Sequence, residues 1–254
     1  MSVALNLRAI TLNQVDTFDS GLFENWSGAV SDVLTGGPGG TNDNYLAVMS
    51  HGGGGVNSKM ICYNVAQWKG NYLTNGVARL TLQAKNFSGP ALQLRAVLKT
   101  GYGPTAGFAS TVAFPLPPDG AWHRATFELN EAAMTRVNSS SLIFSNLITS
   151  AGELRILSST EPSIIGDSIE ATLGLDNIQA LPATGPELKI SAATNQLRVS
   201  WPATGATNFV LESATNLVLP AWTKEFATNN FVNGTNSVNV PQSNGEKFFR
   251  LRLP

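Results

Sequence analysis

The chain has 254 residues, 43% hydrophobic and only 13% charged, with 16 Lys and Arg against 17 Asp and Glu for a formal charge of −1. That length suits two ordinary domains with apolar residues enough for a core, and the near-neutral balance offers nothing to a phosphate backbone or an anionic membrane. No run approaches the roughly 18 apolar residues of a membrane span, so neither nucleic-acid binding nor membrane insertion is expected.

A single cysteine, Cys62, excludes an intrachain disulfide, and between Ile61 and Tyr63 it reads as a small buried strand residue. The opening Met1-Ser2-Val3-Ala4-Leu5 has no basic stretch followed by an apolar one, so no signal peptide is expected in this sequence. Asn, Ser, Thr and Gly stand where charges usually do. That is the texture of β-rich proteins secreted or held at the cell surface, whose loops need turn formers.

In chain order, residues 3–15 alternate loosely and read as an opening strand. Two glycine-rich loops, 36–44 and 51–55, are hairpin connections. Neither carries the Gly-Lys-Ser/Thr of a phosphate cradle, and no helical period follows either one. Strands are expected over 45–49, 59–63, 76–84, 91–98, 110–114, 122–129, 142–144 and 153–157, with one or two helical turns in 130–137. In 91–98, Leu92, Leu94, Ala96 and Leu98 take one face, and Gln93, Arg95 and Val97 the other.

The stretch 169–181 is the last strand of a first domain, stopped by Pro182, with partners far back near the N-terminus. A short aspartate is a poor strand residue, so Asp176 needs a partner. After the hinge 182–186 the strand pattern restarts at 188–190, 196–201, 209–213, 237–240 and 247–253, a small immunoglobulin-like sandwich. Its final strand is expected inside a sheet, where pairing prevents fraying. About ten short strands and almost no helix before the hinge mean an all-β sandwich there too.

Phe18-Asp19-Ser20-Gly21 followed by Trp26 resembles the Phe-Glu-x-Gly…Trp opening of jelly-roll carbohydrate-binding modules of bacterial extracellular enzymes. Asn42-Asp43-Asn44-Tyr45-Leu46-Ala47-Val48, Gly120-Ala121-Trp122-His123-Arg124-Ala125-Thr126-Phe127 and Leu175-Asp176-Asn177-Ile178 resemble further segments of that family. The likeness spans 3–181 through short motifs. Residues 187–254 resemble the fibronectin-III-like domains of secreted bacterial proteins, through Trp201 and Phe248-Phe249-Arg250-Leu251. The resemblance implies a jelly-roll β-sandwich over 1–182 and a small immunoglobulin-like sandwich over 187–254. It also implies a structural Ca²⁺ held by Asp19 (where the family usually has Glu), Asp176 and carbonyls of Thr17 and the 42–45 loop. Two carboxylates plus carbonyls meet the oxygen demand of calcium. The competing reading of Asp176 is a cap on a strand bulge.

A polysaccharide is the partner the resemblance implies. Sugar recognition needs flat aromatic faces with polar groups for the hydroxyls. Trp68, Tyr72 and Tyr102 are the expected stacking residues and Arg95 the hydroxyl contact, with Tyr45, Tyr63 and Gln93 as further candidates. Core packing competes for Trp68, and cross-strand pairing with Glu128 or Glu153 competes for Arg95. Trp26, Trp122 and Trp201 are expected in cores. Only two histidines and no nucleophile elbow or paired-carboxylate signature leave a lyase or hydrolase as the lesser reading. A surface adhesive or assembly subunit, self-associating or joined to other domains, is the remaining alternative.

Overall fold

The computed structural model describes residues 9–101, 105–139, 141–193, 195–203, 209–225, 229–242 and 245–252. The chain divides into two compact units, Met1–Ala183 and Thr184–Pro254. In the first unit the chain forms β1 (Val15–Asp16), β2 (Trp26–Gly28), β3 (Val30–Val33), β4 (Tyr45–His51), β5 (Ile61–Asn64), β6 (Arg79–Asn86) and β7 (Leu92–Lys99). It continues through β8 (Gly107–Ser110), β9 (Phe114–Leu116), β10 (His123–Glu128), β11 (Met134–Val137), the short helix α1 (Phe144–Ile148), β12 (Glu153–Ser158) and β13 (Glu170–Leu181).

These strands make two antiparallel sheets of a jelly-roll sandwich. Sheet I runs β10-β6-β13-β4-β3, with β1 added to the end of β13 where Val15 faces Gln179. Sheet II runs β11-β8-β7-β12-β5-β2, with β9 also on β7. The two-residue period of a strand sorts the side chains. Leu46, Val48, Leu80, Leu82, Leu173 and Leu175 of sheet I face Leu92, Leu94, Leu98, Leu154 and Ile156 of sheet II in one buried core, joined by Cys62. The closing strand β13 lies between β4 and β6 and breaks register between Asp176 and Gln179, a bulge with Asn177 at φ 49°.

Several expected elements differ. The opening strand reduces to β1 within the described residues. Residues 130–137 are not helical. Asn130 Oδ1 accepts the N–H groups of Ala132 at 3.1 Å and Ala133 at 3.0 Å, closing a turn that feeds β11 onto β8. The strand expected over 142–144 leads into α1, whose Phe144, Leu147 and Ile148 share the buried face that the i, i+3, i+4 spacing defines. Among the described residues no helix is long and apolar enough to cross a membrane.

The second unit holds β14 (Lys189–Ala193), β15 (Gln196–Pro202), β16 (Val210–Ala214), β17 (Thr223–Lys224), β18 (Asn230–Val232), β19 (Thr235–Pro241) and β20 (Phe248–Arg252). A four-stranded sheet, β14-β15-β19-β18, and a three-stranded one, β17-β16-β20, enclose Val199, Trp201, Leu211, Val238 and Val240. The final strand β20 is an edge strand rather than an interior one, pairing with β16 alone among the described residues. Its Arg250 and Arg252 converge on Glu212 at 2.8 and 2.6 Å, and such edge charges discourage further pairing.

Candidate functional site

Trp68 and Tyr72 lie in the core of the first unit and not on a binding surface. Both are fully buried. The Trp68 indole donates to Asp16 Oδ2 at 2.5 Å, and the same oxygen accepts from Trp26 Nε1 at 2.7 Å and Gln67 Nε2 at 3.2 Å. The Tyr72 hydroxyl donates to the Trp68 carbonyl at 2.7 Å. Every polar handle on these rings is satisfied internally, and neither ring has a face left for a sugar.

Arg95, only 4% exposed, is a clamp between two loops rather than a hydroxyl contact. Its Nε donates to Ser159 O at 2.9 Å, Nη1 to Ser110 O at 2.6 Å and Thr111 O at 2.9 Å, and Nη2 to Thr160 O at 2.7 Å. The planar fork of five donors suits such a task, and four of the five are spent on these backbone carbonyls. The carboxylates expected across the strands are not its partners. Tyr102 lies outside the described residues.

The clamp is part of a wider covering of sheet II. The segment after β12 folds over the outer face, where Ile164 packs with Val97, Ala109 and Leu157. Arg155 Nη1 donates to Ile164 O at 2.6 Å. Beneath, Lys99 pairs with Glu153 at 3.1 Å, and both side chains are wholly buried. The central strands of sheet II, β7, β8 and β12, therefore spend their outer face on the chain itself.

Sheet I does not. At the centre of its outer face stands Gly174 of β13, opposite Ala47 of β4 and Lys85 of β6. A Cβ there would lie 2.8 Å from the Phe87 ring, 2.9 Å from Trp122 and 3.3 Å from Tyr45. The missing side chain makes room for three rings. Tyr45 and Phe87 stack at 5.5 Å and 17°, and Trp122 stands edge-on to Tyr45 at 5.4 Å and 75°. Trp122 Nε1 donates to Gly36 O at 3.1 Å, which fixes the indole. Phe87 is 43% exposed, and the Lys85 ammonium sits 4.8 Å from its ring centre.

Trp122, expected in the core, is half-buried on this outer face. It shares parity with Arg124 and Thr126, while Ala125 and Phe127 point inward. Beside the rings, Met49, His51, Glu170 and Thr172 line a cleft of about 590 Å³.

A second group of residues gathers where β1 meets β13. Asp176 is fully buried and accepts from its own neighbour, Asn177 N and Nδ2, both at 2.7 Å. The bulge-capping role is thus real. Burial, and then the negative charges of Asp43, Asp19 and Glu24, nonetheless push its carboxyl up to about 7 despite the Asn177 N–H.

Glu24 is raised to about 7 as well, chiefly by burial and then by Asp16, with the backbone N–H groups of Phe18 and Thr17 pulling the other way. Its Oε2 is buried with no hydrogen-bond partner. The loop before β4 closes over this group. Asn44 Nδ2 donates to Phe18 O at 3.2 Å, and Gly37 N–H to Asp43 O at 2.9 Å. Asp19 itself is exposed.

Among the described residues no ion pair reaches these acids. Nor do three or more His, Cys, Asp or Glu side chains converge as a metal cage. A hard cation would fit only with backbone oxygens added to two or three carboxylates. The orphaned Glu24 oxygen and the mutual repulsion of the acids suit that donor set.

No family model matches the sequence, and no curated protein matches it. Among solved structures, a family 11 carbohydrate-binding module from Clostridium thermocellum, in complex with a β-1,3-1,4-mixed-linked tetrasaccharide, is similar at 13% identity. It covers 68% of this chain and 97% of its own, with a TM-score of 0.44. An exo-β-agarase is similar at 12% identity over 70% of this chain, with a TM-score of 0.47, and this chain spans 26% of the agarase. A β-1,2-glucanase from Parabacteroides distasonis covers 96% of this chain and 36% of its own length at 13% identity and a TM-score of 0.33.

Proposed function

We propose that the first unit is a non-catalytic polysaccharide-binding module, working outside the cell or at its surface. The second unit serves as an immunoglobulin-like or fibronectin-III-like spacer. The observation that carries this is the ring trio Tyr45, Phe87 and Trp122 on the open face of sheet I, held rigid by Gly174 beneath and Gly36 above. A rigid, partly exposed aromatic surface ringed by Lys85, Arg124 and Gln83 matches what a pyranose ring and its hydroxyls require. Hydrolysis would need two carboxylates facing one open cleft, and the cleft beside the rings is lined by a single acid, Glu170.

Affinity electrophoresis of the whole chain tests this, in gels containing mixed-linkage β-glucan, agarose or cellulose derivatives. Retardation is expected in at least one gel. Phe87→Ala and Trp122→Ala should each cost about 2 kcal/mol of binding, a loss of roughly thirtyfold in affinity. Unretarded wild type in every gel overturns the reading.

A structural Ca²⁺ belongs to the same proposal. Asp176, Glu24 and Asp19 would hold it, with backbone carbonyls around Thr17. Bound there, the ion would neutralise acids that otherwise repel one another and would tie the first strand to the closing one. The orphaned Glu24 Oε2 supports it.

One observation favours the assembly-subunit reading. In the second unit Val218 and Leu219 are almost wholly exposed, and Phe231 and Val232 project from the edge strand β18. Sedimentation across a concentration range decides it. A monomer throughout removes this reading.

A further inference from the structure

The ring trio covers only part of the open face of sheet I. Beyond it, β4 and β13 continue with Met49 opposite Thr172 and His51 opposite Glu170. These four side chains, with Asn57 and Ser88, line the cleft of about 590 Å³. The seven residues of β4 from Tyr45 to His51 carry both features, a strip of about 20 Å at the rise of a strand.

Phe87 and Ser88 join the two halves. The Phe87 N–H donates to Thr172 O at 3.0 Å, and the Thr172 N–H donates to Ser88 Oγ at 2.5 Å. The backbone that carries the exposed ring and the Ser88 wall of the cleft are therefore joined to the same residue of β13.

The cleft differs from the trio in chemistry. Its floor is Met49, 46% exposed and apolar. The His51 ring is held by its own loop, with Nδ1 2.9 Å from Gly52 O and Nε2 2.6 Å from Val56 O, and so serves as a fixed wall. The Glu170 carboxylate, the Asn57 amide and the Thr172 hydroxyl have no side-chain partner among the described residues and face an open space. Such groups hydrogen-bond hydroxyls well.

Resting on the function proposed above, we infer that this cleft is a second subsite for the same glycan. The chain lies along β4 and β13, stacks one unit on Phe87 and Trp122, and places the hydroxyls of the continuing units on Glu170, Asn57 and Thr172. The class of ligand follows: a polysaccharide whose units over the cleft are uncharged. Glu170, the one acid among the residues lining the cleft, disfavours uronate or sulfate groups there, while Lys85 and Arg124 lie at the ring trio and not in that lining.

Calorimetric titration of the whole chain with cello-, laminari- and agaro-oligosaccharides, from disaccharide to hexasaccharide, tests the inference. The hexasaccharide of the recognised series should bind about tenfold more tightly than its disaccharide, the worth of one or two well-made hydrogen bonds. The double variant Glu170→Ala/Asn57→Ala should erase that advantage, and Glu170→Gln should retain most of it. Both residues sit at the surface, and an unchanged melting temperature will show that the fold is intact.

Equal affinity at every length overturns the inference, as does a double variant that weakens all lengths alike. Polygalacturonate held as tightly as a neutral glycan overturns the charge assignment. Failure of the underlying reading looks different: Phe87→Ala would then leave disaccharide binding intact.

Discussion

A single carboxylate oxygen, Asp16 Oδ2, receives the indole N–H groups of Trp26 and Trp68 and the amide of Gln67. Burial raises the Asp16 carboxyl from its ordinary value, and the bonds from Trp68, Trp26 and Gln67 pull it back. Asp16→Ala would strand two buried indole donors, each costing about 1–3 kcal/mol. The expected loss is on the order of 3 kcal/mol, read as a lower urea midpoint with an unchanged slope; a loss under about 1 kcal/mol would show that water replaces the carboxylate. None of this was legible locally. Lys69, Gly70 and Asn71 give Trp68 the look of an exposed residue, but Lys69 O accepts from Ile10 N at 2.8 Å and Gly70 N donates to Ala151 O at 2.7 Å. Those long-range bonds draw the segment inward, and no periodicity within it reports them. Glu24 did have a signal. Phe23-Glu24 repeats the aromatic–acid pair of Phe18-Asp19 closer to Trp26, and the structure gives Glu24 the buried oxygen.

Strands that alternate strongly read correctly from sequence: β4, β6, β7 and β12 each carry apolar residues at every second position. The elements that misread are those set by a side chain or a distant partner. Asn130 turns the chain into β11, and α1 is too short for its period to stand out. The closing strand β13 shows both cases. Its apolar parity was plain, but the reason for Gly174 was not, because the three rings that fill its place come from β4, from the end of β6 and from before β10. Gly174→Ala tests that reason. An alanine normally strengthens a strand relative to glycine, so a loss here must come from the rings. With Phe87 and Trp122 under 3.0 Å from the new methyl group, they must shift. The expected cost is about 1–2 kcal/mol of stability together with loss of retardation in glycan gels. A more stable variant with full retention would show that the trio tolerates displacement.

For the molecule as a whole, the all-β sandwich class was legible, because it depends on composition and short-range pattern, whereas the strand count was underestimated. The electrostatics of the first unit were not legible, since they arise where loops from 16–25, 36–44 and the β13 bulge meet. Their consequence can be worked out in sign. Glu24 and Asp176 rise from 4.5 and 3.8 in the unfolded chain to about 7 in the folded one. Between about pH 4 and pH 7 the folded chain keeps protons that the unfolded chain has lost. Their contribution to stability is thus complete below about pH 4 and declines as pH rises to about 7. A calcium ion at these residues would have the opposite dependence, because it binds the ionised carboxylates and displaces their protons. In chelator the melting temperature should fall as pH is raised through this window. Millimolar calcium should restore it by mass action, strongly at about pH 8 and weakly at about pH 5. Glu24→Gln with Asp176→Asn should flatten the pH dependence and remove the calcium response together. Calorimetry of the whole chain reads both. A melting temperature at pH 8 indifferent to calcium and chelator would exclude the ion and leave a pair of unpaired acids as a standing cost to the fold.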